Sequence, residues 1–234
     1  FMLSIKHRYA LAFCLACHFL VWGQLHAEER SVRPGINSYY HDPEWQAWVN
    51  TFESPGREVY DRRHAIVDAT GVRPGMVVAD IGAGTGLFTR LFAIEVGPRG
   101  KLYAVDISRP FIENIERVNR ELGISNVEGI VNSAKNVSLP SNSIDLAFIS
   151  DTYHHFEYPV SMLASIRHSL RRGGKMVIID FRRDPAVSSN WVMGHVRADR
   201  NRVIQEITDT GFRFIEEKPI LRSNYFLVFE KTPE

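Results

Sequence analysis

Cysteine is nearly absent from this sequence of 234 residues. The two cysteines, Cys14 and Cys17, both lie within the first 27 residues. Residues 28–234 therefore offer no side chain for a disulfide, a thiolate zinc site or a cysteine nucleophile. A body without cysteine is consistent with an exported protein.

An excess of charge of one sign is also absent. The sequence has 28 Lys and Arg residues against 27 Asp and Glu residues, and no long run of either sign occurs. Without Lys6 and Arg8 of the first 27 residues, the remainder has 26 basic and 27 acidic residues, a net charge of −1. Because a nucleic-acid-binding domain normally has a basic surface patch, the balance predicts that no nucleic acid is a partner.

No apolar run is long enough to cross a membrane as a typical helix. Residues 9–22 form an apolar stretch of 14 residues, whereas a spanning helix needs about 20. Basic residues at 6–8 precede it and Ala27 follows it, which is the order typical of a secretory signal. We predict that residues 1–27 are a signal peptide or an N-terminal membrane anchor; a lipoprotein signal at Cys17 is a third alternative. The protein is then exported, to the periplasm or the medium, or associated with a membrane through residues 9–22.

The remainder divides into a short segment and one domain. Residues 28–56 are rich in proline and glycine, but apolar side chains from Trp45 to Phe52 have helical spacing. We interpret residues 28–56 as a lead-in or lid segment and residues 57–234 as a single domain, a length ordinary for one domain.

Strands and helices alternate along this domain. Apolar segments predict strands at 76–81, 101–106, 127–131, 144–150, 175–180, 212–217 and 225–231; amphipathic segments predict helices at 57–70, 87–96, 110–122, 160–170 and 200–210. Continuous apolar strands between amphipathic helices are typical of a parallel sheet covered on both faces. The predicted fold is therefore α/β and Rossmann-like: a mostly parallel seven-stranded sheet, helices on both faces and a C-terminal antiparallel strand.

A glycine-rich turn follows the first predicted strand of the sheet. The segment from Val78 to Gly86 reads V-A-D-I-G-A-G-T-G. Its glycines allow positive φ angles and a close approach of the backbone to a ligand. The spacing is G-x-G-x-G, whereas the dinucleotide fingerprint G-x-G-x-x-G requires a third glycine where this sequence has Leu87. A nicotinamide oxidoreductase is thus a less favoured alternative.

Two carboxylates accompany the turn. Asp80 precedes the glycines, where it would repel a pyrophosphate but suit a cationic amine. Asp106 ends the second strand, 20 residues after Gly86, where a carboxylate can accept both ribose hydroxyls of an adenosine. S-adenosylmethionine has an ammonium group, a ribose and no phosphate, so the combination favours this methyl donor.

The D-I-G-A-G-T-G segment resembles that of class I S-adenosylmethionine-dependent methyltransferases, especially the small-molecule branch that includes quinone-biosynthesis enzymes. The resemblance covers roughly residues 57–181. It implies methyl transfer to a small-molecule acceptor, on an O, N, S or C atom, with S-adenosylmethionine as cofactor. The resemblance implies that the first acid and the glycine loop hold the methionine part of the cofactor and that the second acid holds the ribose. It also implies that the neighbour of the second acid and a polar turn after the third strand contact the adenine. These residues are Asp80, Gly82, Ala83, Gly84, Gly86, Asp106, Ile107, Asn132 and Ser133.

The end of the fourth predicted strand borders the methyl group in this family. Here it reads S-D-T-Y-H-H-F, and His154 or His155 is a candidate general base because imidazole titrates near neutrality. Asp151 is a candidate to orient the base or to contact the methionine part. Asp151, the two histidines and the distant His195 are also residue types that bind metals. However, the side chains of adjacent histidines often point in different directions, and the sequence has no second group of ligand residues at the spacing of a metal site. We therefore assign no metal.

Other polar and aromatic residues admit two interpretations. Arg182, His195 and Arg197 either recognise an anionic or polar acceptor or belong to a solvated loop with ordinary salt bridges. The aromatic residues of the lead-in segment either cover the cavity or only pack: Tyr39, Tyr40, Trp45 and Trp48. A non-catalytic protein that binds S-adenosylmethionine or S-adenosylhomocysteine remains the main functional alternative. The sequence gives no oligomeric state.

Overall fold

The computed structural model describes residues 28–233. The predicted signal or anchor at residues 1–27 lies outside the described residues. Among residues 28–233, no helix has both the length and the apolar character that a membrane-spanning helix requires.

The core of the fold is a seven-stranded sheet in the order β3-β2-β1-β4-β5-β7-β6. Strand β7 runs antiparallel to both of its neighbours, while β1 to β5 are parallel. The predicted fold class is thereby confirmed. The strands are β1 (Val77–Ile81), β2 (Lys101–Asp106), β3 (Val127–Val131), β4 (Ile144–Ser150), β5 (Leu170–Phe181), β6 (Phe212–Glu217) and β7 (Asn224–Lys231).

Helices cover both faces of this sheet. They are α1 (Trp45–Phe52), α2 (Glu58–Asp61), α3 (Arg63–Thr70), α4 (Leu87–Val96), α5 (Arg109–Glu121), α6 (Pro159–Ser169), α7 (Asn190–His195) and α8 (Arg200–Thr208). One buried cluster joins the sheet to α6 and α8, and a second joins its other face to α2, α3 and α4. Alternate side chains of a strand point to opposite faces, which is why the central strands are apolar throughout.

Two predicted elements differ from the structure. The helix expected over 57–70 is divided at Arg62 into α2 and α3. Strand β5 begins at Leu170, directly after α6, rather than at Lys175. Its ladder to β4 is irregular there, and Gly173, with φ of 73°, lets the extra residues fold out of the sheet. Most other boundaries agree within two residues, as expected where helix ends fray.

Candidate active site

One cavity opens at the carboxyl ends of β1, β2, β4 and β5. The order of strands reverses between β1 and β4, which is where open α/β sheets bind ligands. Its volume is about 620 Å³, within the range of roughly 300–1,000 Å³ for small-molecule sites. The predicted cofactor residues that line it are Asp80, Gly82, Ala83, Gly84, Asp106, Ile107, Asn132 and Ser133.

The glycine loop forms one wall of the cavity. Gly82, Gly84 and Gly86 all have positive φ, at 74°, 54° and 77°. A Cβ on Gly82 would collide with the Thr152 side chain, and one on Gly86 would lie 2.9 Å from Ile115 Cγ1. Gly86 does not line the cavity; it is the N-cap of α4, so its part in the site is to form the turn.

Asp80 is buried at the end of β1. Its Oδ2 accepts a hydrogen bond of 2.7 Å from Thr89 Oγ1 on α4. Burial raises the pKa of Asp80 to about 7, despite that hydrogen bond, because the ionised carboxylate loses hydration. A cationic group in the cavity would favour the ionised form.

Asp106 is held by backbone amides at the end of β2. Its Oδ2 accepts from Gly84 N at 2.8 Å and its Oδ1 from Ser108 N at 2.8 Å. Burial raises the pKa of Asp106 to about 6, although these amides act in the opposite direction. The carboxylate thus ties the glycine loop to β2 and retains lone pairs for ribose hydroxyls. After β3, Asn132 Nδ2 donates to Ser133 O at 2.8 Å, in the turn expected to contact adenine.

The lead-in segment contributes aromatic side chains to the lining of the cavity. The Tyr40 and Trp48 rings have centroids 5.0 Å apart, and Trp48 lies 4.9 Å from the Phe52 ring. These three residues and Tyr39 line the cavity, whereas Trp45 packs against Phe111 without lining it. The Tyr40 ring also meets His155 edge-on at 5.3 Å, so the segment extends from the glycine loop to the histidines.

His154 is fixed at the end of β4 by a carboxylate of the neighbouring strand. Its Nδ1 lies 2.7 Å from Asp180 Oδ1, and its backbone N donates to Asp180 Oδ2 at 2.9 Å. Both side chains are at most 3% exposed. Sequence reasoning missed this partner; the signal for it was an acidic residue near the end of the strand that pairs with β4.

His155 and His195 lie beside His154. The His154 and His155 ring centroids are 4.3 Å apart, because both lie in a 3₁₀ turn (Tyr153–His155). The expectation that adjacent histidines diverge is therefore wrong here. Burial, followed by the neighbouring His154, lowers the pKa of His155 to about 2. Burial also lowers the pKa of His195, whose ring stacks on Trp191 at 4.5 Å.

The hydrogen bonds of the Asp151 carboxylate join it to Arg57 and Asn224 rather than to His154 or His155. Its Oδ2 lies 2.5 Å from Arg57 Nη2, and its Oδ1 accepts from Asn224 Nδ2 at 2.6 Å. The pKa of Asp151 is raised by burial, with Arg57 opposing the shift. Asp151 lines the cavity with Arg57, a residue that the sequence did not single out.

The two arginines considered for acceptor recognition point elsewhere. Arg182 Nη2 donates to Glu217 Oε1 at 2.6 Å, and Arg197 forms two hydrogen bonds with Glu206. Neither arginine lines the cavity, but His195 does. Both arginines form salt bridges, as the second interpretation expects, but the Arg197 side chain is only 11% exposed and so does not lie in a solvated loop.

Comparisons with known proteins also indicate a methyltransferase domain. A family model described as "Methyltransferase domain" matches residues 73–217, more than half of the chain. The ubiquinone/menaquinone biosynthesis C-methyltransferase UbiE of Hydrogenovibrio crunogenus is 33% identical over 51% of this chain and 47% of its own length. That of a Shewanella species is 30% identical over 57% of this chain and 53% of its own length. The chain thus spans about half the length of these curated relatives.

A solved structure shares the fold. The crystal structure of a SAM-dependent methyltransferase from Aquifex aeolicus superposes with a TM-score of 0.71 at 21% identity, covering 81% of this chain and 99% of the other.

Proposed function

The chain belongs to the methyltransferase domain family, and from this premise we propose that it transfers a methyl group to a small-molecule acceptor. S-adenosylmethionine is the donor that this membership implies, as the D-I-G-A-G-T-G segment predicts. One observation carries the proposal: Asp80, the glycine loop and Asp106 line the same cavity as His154 and His155.

The residues fit the donor. Asp80 suits the ammonium group and Asp106 suits the ribose hydroxyls, and both line the cavity with the glycine loop between them. When bound, S-adenosylmethionine supplies a methyl group on a positively charged sulfur. The protein then has to orient the acceptor and exclude water. The aromatic side chains of residues 28–56 serve the second requirement because they cover the cavity.

We propose that the acceptor is an aromatic, quinone-like small molecule. Two observations support this class: the rings of Tyr40 and Phe181 line the cavity beside His155 and His154, and the curated relatives are named as quinone-biosynthesis enzymes. His154, His155 and Asp151 lie at the β4 end of the cavity, where we place the acceptor. A general base there is needed only if the acceptor loses a proton.

Calorimetry with the purified full chain tests the donor site. We expect micromolar binding of S-adenosylmethionine that Asp106→Ala abolishes, and no binding of NAD. Transfer of labelled methyl groups to reduced benzoquinones and naphthoquinones tests the acceptor class. Binding without turnover on any acceptor would favour the non-catalytic alternative. A folded protein without donor binding would contradict the proposed function.

We further propose that residues 1–27 direct export or membrane attachment. The basic start and apolar run support this proposal. Expression of the full chain, fractionation and mass measurement of its N-terminus test it. A soluble exported chain that begins at Glu28 would indicate a cleaved signal, an uncut chain in the membrane fraction would indicate an anchor, and an uncut chain in the cytosolic fraction would contradict both.

A further inference from the structure

Three imidazoles converge at the acceptor end of the cavity. One ring nitrogen each of His154, His155 and His195 lies within 4.8 Å of the other two. The His195 ring centroid is 5.1 Å from that of His154 and 5.2 Å from that of His155. His154 and His155 come from the end of β4 and His195 from α7, 40 residues later, so the tertiary fold creates the cluster.

We propose that His154, His155 and His195 bind a divalent transition-metal ion, with zinc as the ion that they suit best. Imidazole nitrogen is a preferred zinc ligand, and three histidines with one open position form a known type of zinc site. All three residues line the cavity, so the open coordination position would face the space that we assign to the acceptor.

The buried hydrogen bonds around the cluster have the pattern that metal-binding histidines require. Asp180 accepts at His154 Nδ1, which leaves Nε2 of this ring as the lone-pair nitrogen. A carboxylate behind a ligating imidazole is the common arrangement that fixes its tautomer and orientation. In addition, His155 Nδ1 is buried and has no hydrogen-bond partner within residues 28–233. A buried imidazole nitrogen without a partner is costly unless something binds it.

The distances require a small adjustment of the rings. Two nitrogens bound to a tetrahedral zinc ion at 2.0–2.1 Å lie about 3.4 Å apart, whereas the separations in the cluster reach up to 4.8 Å, so the rings have to move closer together. His195 is the ring with most room to move, because it is only partly buried and its stacking partner Trp191 is 57% exposed. Charges nearby act in both directions: Asp180 favours a cation, and Arg33, which donates to Gly194 O at 2.9 Å, opposes it.

The position of the site suggests what the metal would contact. We place the acceptor at this end of the cavity, an assignment that rests on the proposed function. A hydroxyl or keto oxygen of the acceptor would complete the coordination of the ion, and this contact would orient the ring toward the donor site. The metal site itself depends only on the three histidines and Asp180.

Metal titration of the full chain tests the site without any assay of activity. Calorimetry with zinc should give one site with micromolar or tighter affinity in the wild-type protein. His195→Ala should weaken that affinity by about 100-fold, and His155→Ala should do the same. The matched control is His64→Ala, because His64 is an exposed histidine on α3 outside the cluster. Asp180→Asn should weaken zinc binding by about 10–100-fold.

Cobalt adds a spectroscopic signature. We expect the wild-type protein to show the visible absorption bands of Co²⁺ bound to nitrogen ligands. These bands should be lost in His195→Ala and retained in His64→Ala. Catechol, added as an oxygen-donor probe, should shift them. Bands that do not respond to catechol would overturn the acceptor contact but not the metal site.

Binding of S-adenosylmethionine is measured on the same samples and separates the two proposals. Donor binding without zinc binding in the folded wild-type protein would overturn the metal site and leave the proposed function standing. Zinc affinity that is equal in the wild-type protein and both histidine variants would also overturn the site, because the ion would then bind elsewhere. Zinc binding without donor binding would support the site and contradict the proposed function.

Discussion

Arg57 Nη2 lies 2.5 Å from Asp151 Oδ2, and this ion pair connects the segment before α2 to the end of β4. The Asp151 side chain is 8% exposed and its backbone has a φ of 49°, which is uncommon for a residue other than glycine. Arg57 also donates to Phe52 O at 2.9 Å. The pair therefore links the segment that follows α1 to the end of the cavity where the histidines lie.

Replacement of Arg57 by alanine is expected to destabilise the protein. It leaves the Asp151 carboxylate mostly buried without its cation, and removal of one partner of a buried pair costs about 3–5 kcal/mol. Because the Arg57 side chain is 25% exposed, we expect a smaller loss of about 1–3 kcal/mol. Chemical denaturation measures it. Arg117→Ala is the control, since its pair with Glu121 is exposed on α5 and should contribute under about 0.5 kcal/mol; equal losses would contradict the assignment.

The affinity for S-adenosylmethionine should depend on pH through Asp80. The pKa of Asp80 is about 7 in the protein without ligand, and the donor's ammonium group favours the ionised carboxylate. Affinity should therefore rise by about tenfold per pH unit between pH 5 and 6.5 and level off above pH 7. Calorimetry at several pH values checks this slope. Asp80→Asn should bind weakly with little slope; a wild-type slope in that variant would exclude Asp80 as its origin.

The same carboxyl groups should make the ligand-free protein less stable as pH rises. The pKa values of Asp80 and Asp106 are raised from 3.8 to about 7 and about 6, so the folded state binds more protons than the unfolded state between these values. Their contribution is fully present below pH 3.8 and is lost as pH rises to about 7. A Tm series from pH 5 to 7.5 should show a smaller decline in Asp80→Asn than in the wild-type protein.

Gly82→Ala should cost more stability than an alanine at another glycine with positive φ. At Gly71, which caps α3 with φ of 71°, a Cβ meets no atom within 4 Å. Gly71→Ala therefore measures the backbone strain alone, about 1–2 kcal/mol. At Gly82 the collision with Thr152 adds to a similar strain. We expect a larger loss of unfolding free energy and at least tenfold weaker donor binding; equal losses would show that the loop yields to the methyl group.

The end of the cavity at the glycine loop was predictable because its signal is local. Asp80 and the glycines are contiguous, and Asp106 ends the next strand, so strand order alone brings them together. The periodicity of apolar residues likewise predicted every strand of the sheet. Parallel strands constrain the positions of their ends, and this is why a motif of a few residues located the cavity.

The end of the cavity where the histidines lie was less predictable because its contacts are long-range. Asp180 reaches His154 across a separation of 26 residues, and His195 lies 40 residues beyond His155. The 3₁₀ turn that keeps the two adjacent imidazoles together has no sequence pattern of its own. For Arg182 and Arg197, a charge close to the predicted pocket in the sequence suggested that they recognise the acceptor. In the structure their side chains instead bind Glu217 and Glu206.

The cover of the cavity should contribute to donor binding through Trp48. Trp45 and Trp48 lie on the same helix and both rings pack against Phe111, at 6.1 and 6.4 Å, but only Trp48 lines the cavity. Trp48→Ala should weaken binding of S-adenosylmethionine by about tenfold, since an aromatic contact is worth about 0.5–1.5 kcal/mol beyond the area it buries. Trp45→Ala should lower stability but leave the affinity within about twofold. Calorimetry and the quenching of tryptophan fluorescence by the donor measure both variants. Equal losses of affinity in the two variants would mean that α1 acts through its packing on α5. Unchanged affinity in both variants would mean that α1 does not contact the donor.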